Sequence, residues 1–354
     1  MSMSAHSTAN SSSIAWAAPE RERAFHAWLT PLLATHQLDA TSLAPASADA
    51  SFRRYFRIRG AAGTLIIMDA PPPLEDVRPF LHVAGLIHQA GLNAPDVLAA
   101  DEAQGFLLLS DLGQGLYLNA LKEANQAQAD RLMRDAIRAL VHWQSTVKAD
   151  SLPLYDAPLL QRELDLFPDW CVAKEFGLTW GDKEKQMWAG VCTHLLDSAL
   201  AQPTVAVHRD WMPRNLMVSD PNPGILDFQD AVRGPISYDV ASMLRDAFLS
   251  WDEEHELDWA VRYWEQARKA GLPVDEDFGE FWRQLEWMGL QRHLKILGIF
   301  CRLKHRDGKP KYSEDLPRFF NYATKVAMRY APLKPLVRLL EPLQGQAVTV
   351  GYTF

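Results

Sequence analysis

The residues His208-Arg209-Asp210-Trp211-Met212-Pro213-Arg214-Asn215, followed by Asp227-Phe228-Gln229-Asp230, decide how this chain folds. Around them, short apolar pieces at 204–207, 216–218 and 225–226 are separated by polar, Pro and Gly residues, inside a region that otherwise repeats at helical spacing. A non-helical island within a helical domain is where functional loops are carried. The residue types suit phosphoryl transfer, which needs little covalent help from a protein. It needs a base beside the attacking hydroxyl and metal ligands that draw the phosphates together. Asp210 is a proton acceptor. Asn215 follows after enough chain for a loop to turn and offer an amide oxygen to Mg2+, and Asp227, at a strand end, is a charged ligand. Magnesium takes such sparse oxygen ligation, completed by phosphates and water. Any one of these residues alone reads better as a turn or cap. Their spacing, His-x-Asp-x₄-Asn, arises by chance in a chain this long only roughly 2% of the time.

Working outward, the residues after 112 are helical almost throughout. Leu132, Ala136, Ala139, Leu140 and Trp143 share one face of a helix expected over 126–148. The residues before 112 are richer in strand signals. A helix is expected over 19–36, opened by Pro19, with Phe25, Trp28, Leu29 and Leu32 on one face. Phe52, Tyr55, Phe56 and Ile58 mark a strand, 60–63 a turn and 64–68 a second strand, which Pro71-Pro72-Pro73 stops. A helix over 77–90 ends at Gly91, strands follow at 97–99 and 105–109, and 110–113 is a connector with turn chemistry. The fold class is therefore α+β and bilobal: a tail at 1–18, a small β-rich N-lobe at 19–112 and a large helical C-lobe at 113–354, whose loop 205–230 carries the chemistry.

The island resembles the catalytic and metal loops of the protein-kinase-like fold. Tyr238-Asp239-Val240-Ala241, after Gly234-Pro235, is similar to the aminoglycoside phosphotransferase branch. Phe52 to Arg57, Ile67 to Pro72, Leu109 to Gly113, Val207 to Asn215 and Arg292 to Phe300 resemble, within that branch, the bacterial N-acetylmuramate/N-acetylglucosamine anomeric kinases. The likeness covers roughly residues 20–330. It implies ATP and Mg2+, nucleotide bound by the N-lobe with adenine near Leu109, Asp111 and Leu112, and phosphorylation of an amino sugar to its α-1-phosphate in peptidoglycan recycling. It also implies that Asp239 is a buried brace of the catalytic loop. An aminoglycoside or other alcohol as acceptor, and a nucleotide-binding relative without turnover, stay open as alternatives.

One part of the kinase pattern is missing. The strand Leu65-Ile66-Ile67-Met68-Asp69 lacks the lysine that reaches the α- and β-phosphates, and Ser47-Ala48-Asp49-Ala50-Ser51 is no glycine-rich loop. Arg53, Arg54 or Arg57 is expected to supply that charge, a guanidinium suiting phosphate oxygens. His208 is expected to orient the loop. Arg214, Asp230, Arg292 and His293 are candidates to meet the acceptor, although Asp230 also suits a helix cap. Trp211 either stacks on a sugar or packs in the core.

The bulk numbers fit this picture. The 354 residues are 48% hydrophobic and 23% charged, an ordinary globular balance. A net charge of -8, with no Lys/Arg block, gives no suggestion of nucleic acid or an anionic membrane as partner. Three scattered cysteines fit a reducing compartment, and no apolar run approaches the ~18 residues of a membrane span. A cytoplasmic monomer that meets only ATP and its small acceptor is the expectation.

Overall fold

In the computed structural model the described residues are 14, 16, 18–48 and 52–344, and they form two compact units. The first contains the described residues up to Gln114 together with Ser219–Gln229; the second contains Gly115–Val218 and Asp230 onward. The segment 219–229, expected with the helical part, thus groups with the β-rich part.

The first unit opens with α1 (Pro19–Thr35), which has Pro19 in its first turn, Glu20 and Glu22 beside the positive helix end, and Phe25 and Leu29 buried. Five strands follow in an antiparallel sheet of order β1-β2-β3-β5-β4. They are β1 (Asp39–Ala48), β2 (Arg54–Gly60), β3 (Gly63–Asp69), β4 (Val97–Asp101) and β5 (Phe106–Ser110), with α2 (Arg78–Gln89) between β3 and β4. The expected hairpin is β2–β3, with Phe56 opposite Ile67 and Gly60 opposite Gly63. Phe56, Ile58, Ile67, Phe106 and Leu108 pack beneath Phe25 and Leu29 of α1. Strand β1 is the element that the sequence patterning misses. It is an edge strand with Pro45 in it and two register irregularities against β2, and its one large apolar residue is Leu43. Such an edge carries no alternation to detect.

The expected tail, residues 1–18, lies outside the described residues except for Ile14, Trp16 and Ala18. Trp16 is packed, 4.9 Å from the Phe25 ring and 5.9 Å from that of Phe56. Structure therefore begins before residue 19. Residues 49–51, of the stretch read in place of a glycine-rich loop, also lie outside the described residues, whereas Ser47 and Ala48 belong to β1. In the later segment of this unit, β8 (Gly224–Ile225) joins the residues after α2 through the Ile225 N–H, which donates to the Asn93 carbonyl at 2.7 Å.

The second unit is mainly helical: α3 (Tyr117–Glu123), α4 (Gln126–Thr146), α5 (Ala157–Leu166), α6 (Asp182–Leu200), α7 (Tyr238–Leu244), α8 (Glu253–Lys269), α9 (Phe278–His305), α10 (Leu316–Arg329) and α11 (Lys334–Gln344). Its strands are short: β6 (Thr204–Val207), β7 (Leu216–Met217) and β9 (Val232–Pro235), with β6 and β9 antiparallel. Helix α4 starts on a capping box, Asn125 and Gln128 satisfying each other's backbone N–H. Helix α9 is the axis of the core, buried over most of the stretch from Phe281 to Leu303. Cys171, Cys192 and Cys301 are free and buried. Among the described residues no helix is long and apolar enough to cross a membrane.

Gly298 lets α9 close on the end of α5. A Cβ there would stand 2.4 Å from the Leu166 carbonyl carbon and oxygen, backbone atoms that cannot turn aside. Gly298→Ala is therefore expected to cost roughly 1–3 kcal/mol or more through core overpacking, offset by up to about 1 kcal/mol of helix propensity. Urea unfolding would read this as a lower midpoint at an unchanged slope.

Candidate active site

Strand β6 delivers the chain to the island, and α7 clamps it there. The His208 backbone N–H donates to Asp239 Oδ2 at 2.7 Å and the Arg209 N–H to Asp239 Oδ1 at 3.0 Å. Asp239 is fully buried, and burial pushes its carboxyl up to about 7 against the pull of those two N–H groups. The clamp holds Arg209 at φ +75°, a left-handed conformation costly for a non-glycine residue. The Asp210 N–H donates to His208 Nδ1 at 3.2 Å, so His208 orders the loop from within. Its ring also stands edge-on to Trp211 at 5.5 Å. Trp211 is fully buried, which assigns it to the core and not to a sugar ring.

The loop then folds back. The Met212 N–H donates to the Asp210 carbonyl (2.9 Å), the Asn215 N–H to the Met212 carbonyl (2.8 Å) and Asn215 Nδ2 to the Asp210 carbonyl (3.0 Å). This turn brings Asn215 against Asp210 and fixes the direction of its carboxamide. The Asp210 side chain keeps 37% of its surface exposed, while Asn215 is 7% exposed.

Beneath the loop is a buried charge cluster. Glu163 of α5 receives Arg209 Nη2 at 2.5 Å and Lys295 Nζ of α9 at 2.8 Å on Oε1. Its Oε2 accepts from Tyr155 and, at 3.2 Å, from Gln291. Burial opposes the Glu163 charge, but the Lys295 ammonium and the Arg209 guanidinium outweigh it and hold the carboxyl at about 2. Because that value lies below the unfolded one near 4.5, the stabilisation is complete above pH 4.5 and is lost as pH falls from 4.5 to 2. Glu163→Gln is expected to remove on the order of 3 kcal/mol at pH 7 and almost nothing at pH 2. Denaturant unfolding of both proteins across that range measures the difference; one that does not change with pH contradicts the assignment.

Arg292 of α9 is 3% exposed, and its Nη2 lies 3.5 Å from Asp210 Oδ1 and 4.0 Å from Met212 Sδ. Its Nε and Nη1 are enclosed without a hydrogen-bond partner among the described residues. Arg214 has its guanidinium 5.0 Å from the Phe248 ring centroid. His293 is fully buried, stacked on Tyr322 at 4.8 Å with Nε2 against the Arg245 carbonyl; burial lowers its pKa to about 3. Its side chain is enclosed by these contacts and has no open surface. Asp230 is exposed.

In the first unit, Asp227 takes φ +60°, and its Oδ1 accepts from Gln229 Nε2 at 2.8 Å. The next residue, Phe228, is buried against Phe80 of α2 with ring centroids 4.7 Å apart. The strand arginines are engaged with acids. Arg54 Nε donates at 2.9 Å to Asp69, which is fully buried and also bound by Arg21 of α1. Arg53 lies 3.4 Å from Glu75. Arg57 donates to Asp111 at 2.6 Å, and Thr64 and the Gly113 N–H bond to the same carboxylate. Arg53, Arg54 and Asp111, expected at the nucleotide, thus spend charge on internal pairs. Leu109 is buried in β5 and Leu112 is half-buried after it.

Of the expected residues, Asp210, Asn215, His208, Asp239 and Arg292 meet in the second unit. Glu163, Tyr155 and Gln291 escaped the sequence reading. Glu163 had a signal: it interrupts the apolar face formed by Leu160, Leu164 and Phe167, where an acid needs a buried cation.

Residues 42–282 match the phosphotransferase enzyme family model. An N-acetylmuramate/N-acetylglucosamine kinase of Pseudomonas putida is 50% identical over 311 residues, covering 88% of this chain and 91% of that protein. One of Neisseria meningitidis is 48% identical over 330 residues, covering 92% and 97%. Among solved structures, the ADP-bound aminoglycoside phosphotransferase APH(2'')-Ib superposes with a TM-score of 0.57 at 12% identity, covering 87% of this chain and 98% of that one. A choline/ethanolamine kinase family protein of Mesorhizobium loti gives 0.58 at 15% identity, covering 91% and 99%. At those identities the structures speak for the bilobal kinase-like fold alone.

Proposed function

We propose that this chain, which belongs to the phosphotransferase enzyme family, moves the γ-phosphoryl group of ATP onto the anomeric hydroxyl of N-acetylmuramate or N-acetylglucosamine. The observation that carries the acceptor is the name shared by relatives half identical to it over about nine-tenths of its length. The Asp210 loop supports the chemistry. A half-exposed carboxylate on a loop clamped from below can receive a hydroxyl proton and is held still while doing so.

In the step itself, the sugar O1 forms a bond to the γ-phosphorus as the bond to the bridging oxygen of ADP breaks. The proton on O1 passes to the Asp210 carboxylate. His208 and Asp239 hold the loop in register. Asn215 would offer magnesium a carboxamide oxygen, its amide already oriented by the Nδ2 bond to the Asp210 carbonyl, and Asp227, in the other unit, carries a carboxylate of the kind that ion takes. Magnesium, when bound, would offset negative charge on the phosphates. Cytoplasmic peptidoglycan recycling, as a monomer, is the setting this activity suits.

The test is ADP release from ATP and Mg2+ with N-acetylmuramate, N-acetylglucosamine or an aminoglycoside as acceptor. Turnover with the two amino sugars is expected. Turnover with the aminoglycoside alone, or with none of the three, would reject the proposal.

A further inference from the structure

N-acetylmuramate is N-acetylglucosamine with a lactic acid ether on O3, so the two proposed acceptors differ by a carboxylate. The following rests on that proposed acceptor class. Among the described residues, four cations lie on the base loop or face it from α9: Arg209, Arg214, Arg292 and Lys295. Arg209 and Lys295 are paired with Glu163. Arg292 is enclosed, with its one contacting nitrogen at Asp210. Arg214 is different. It is half-buried, directly precedes Asn215 in the chain, and its side chain forms no hydrogen bond or ion pair with any described residue.

We propose that Arg214 is the receptor for the acceptor's carboxylate and sets the preference between the two sugars. Its guanidinium stacks on the Phe248 ring, which holds the group and strips water from one face. The N–H groups in the guanidinium plane stay available for a planar, bidentate partner, and a carboxylate matches that fork. A neutral hydroxyl at the same place on N-acetylglucosamine draws less from it. A guanidinium already spent on an internal acid could not serve this way, because the ligand would have to break that pair.

The experiment compares kcat/KM for both sugars in the full chain with Arg214→Ala and with Arg214→Lys. In Arg214→Ala the ratio of N-acetylmuramate to N-acetylglucosamine is expected to fall roughly 10- to 100-fold, the range of a lost charge-assisted hydrogen bond. In Arg214→Lys, which keeps the charge and loses the fork, it should fall by less. An unchanged ratio in both variants would overturn the proposal. If both sugars lost rate equally, Arg214 would act on the phosphoryl group common to both reactions. Failure of the parent protein to use either sugar would reject the acceptor class itself, a result distinct from an unchanged ratio.

Discussion

Asp210→Asn is expected to lower kcat by roughly 10²- to 10⁴-fold, the usual contribution of a positioned general base. The amide is nearly isosteric, but it takes away the negative charge 3.5 Å from the enclosed Arg292 Nη2, so some loss of stability, read by urea unfolding, is expected beside the loss of rate. Asp210 holds Asn215 and Met212 through its backbone carbonyl, which the substitution leaves in place. Nucleotide affinity should therefore stay where it was, and the loss should appear in kcat with the KM for ATP unchanged. Steady-state kinetics against both substrates decide it. A variant that keeps parental kcat removes Asp210 from the role of base.

Asp239→Ala is expected to be costly for a different reason. It leaves the His208 and Arg209 N–H groups buried without their acceptor. At about 1–3 kcal/mol for each unsatisfied buried donor, the loss is roughly 2–6 kcal/mol of stability. The left-handed Arg209 also loses the bond that holds it, so the loop should relax and activity fall further than the stability change explains. Urea unfolding with kcat measured in the same preparation separates the two effects. A destabilisation below about 0.5 kcal/mol with full activity would show that the clamp contributes nothing.

The candidate loop was legible in the sequence because residue type and spacing are both constrained there. The loop from His208 to Asn215 must turn and return within a few residues, and the backbone and Asn215 bonds to the Asp210 and Met212 carbonyls do this. The β2–β3 hairpin and α4 were legible because patterning and turn chemistry agree there. Strand β1 was not, because an irregular edge strand of small residues carries no periodicity. The partners of Arg53 and Arg54 were not legible either. Sequence places Arg53 and Arg54 on a strand but does not show the acids opposite them, and Asp69 and Glu75 become visible as partners only in the fold. The surroundings of His293 were hidden for the same reason: beside Arg292 in the chain, it stacks on Tyr322 and meets the Arg245 carbonyl. The charge cluster under the loop draws Tyr155, Glu163, Arg209, Gln291 and Lys295 from four separate segments, a convergence that no single stretch announces.

The most direct test of the central claim is the identity of the product. N-acetylmuramate labelled with carbon-13 at C1 would be incubated with ATP, Mg2+ and the protein, and the product examined by phosphorus and carbon NMR. The account predicts a phosphate coupled to the labelled C1. A phosphate on any other carbon, or an unmodified sugar beside intact ATP, would contradict it.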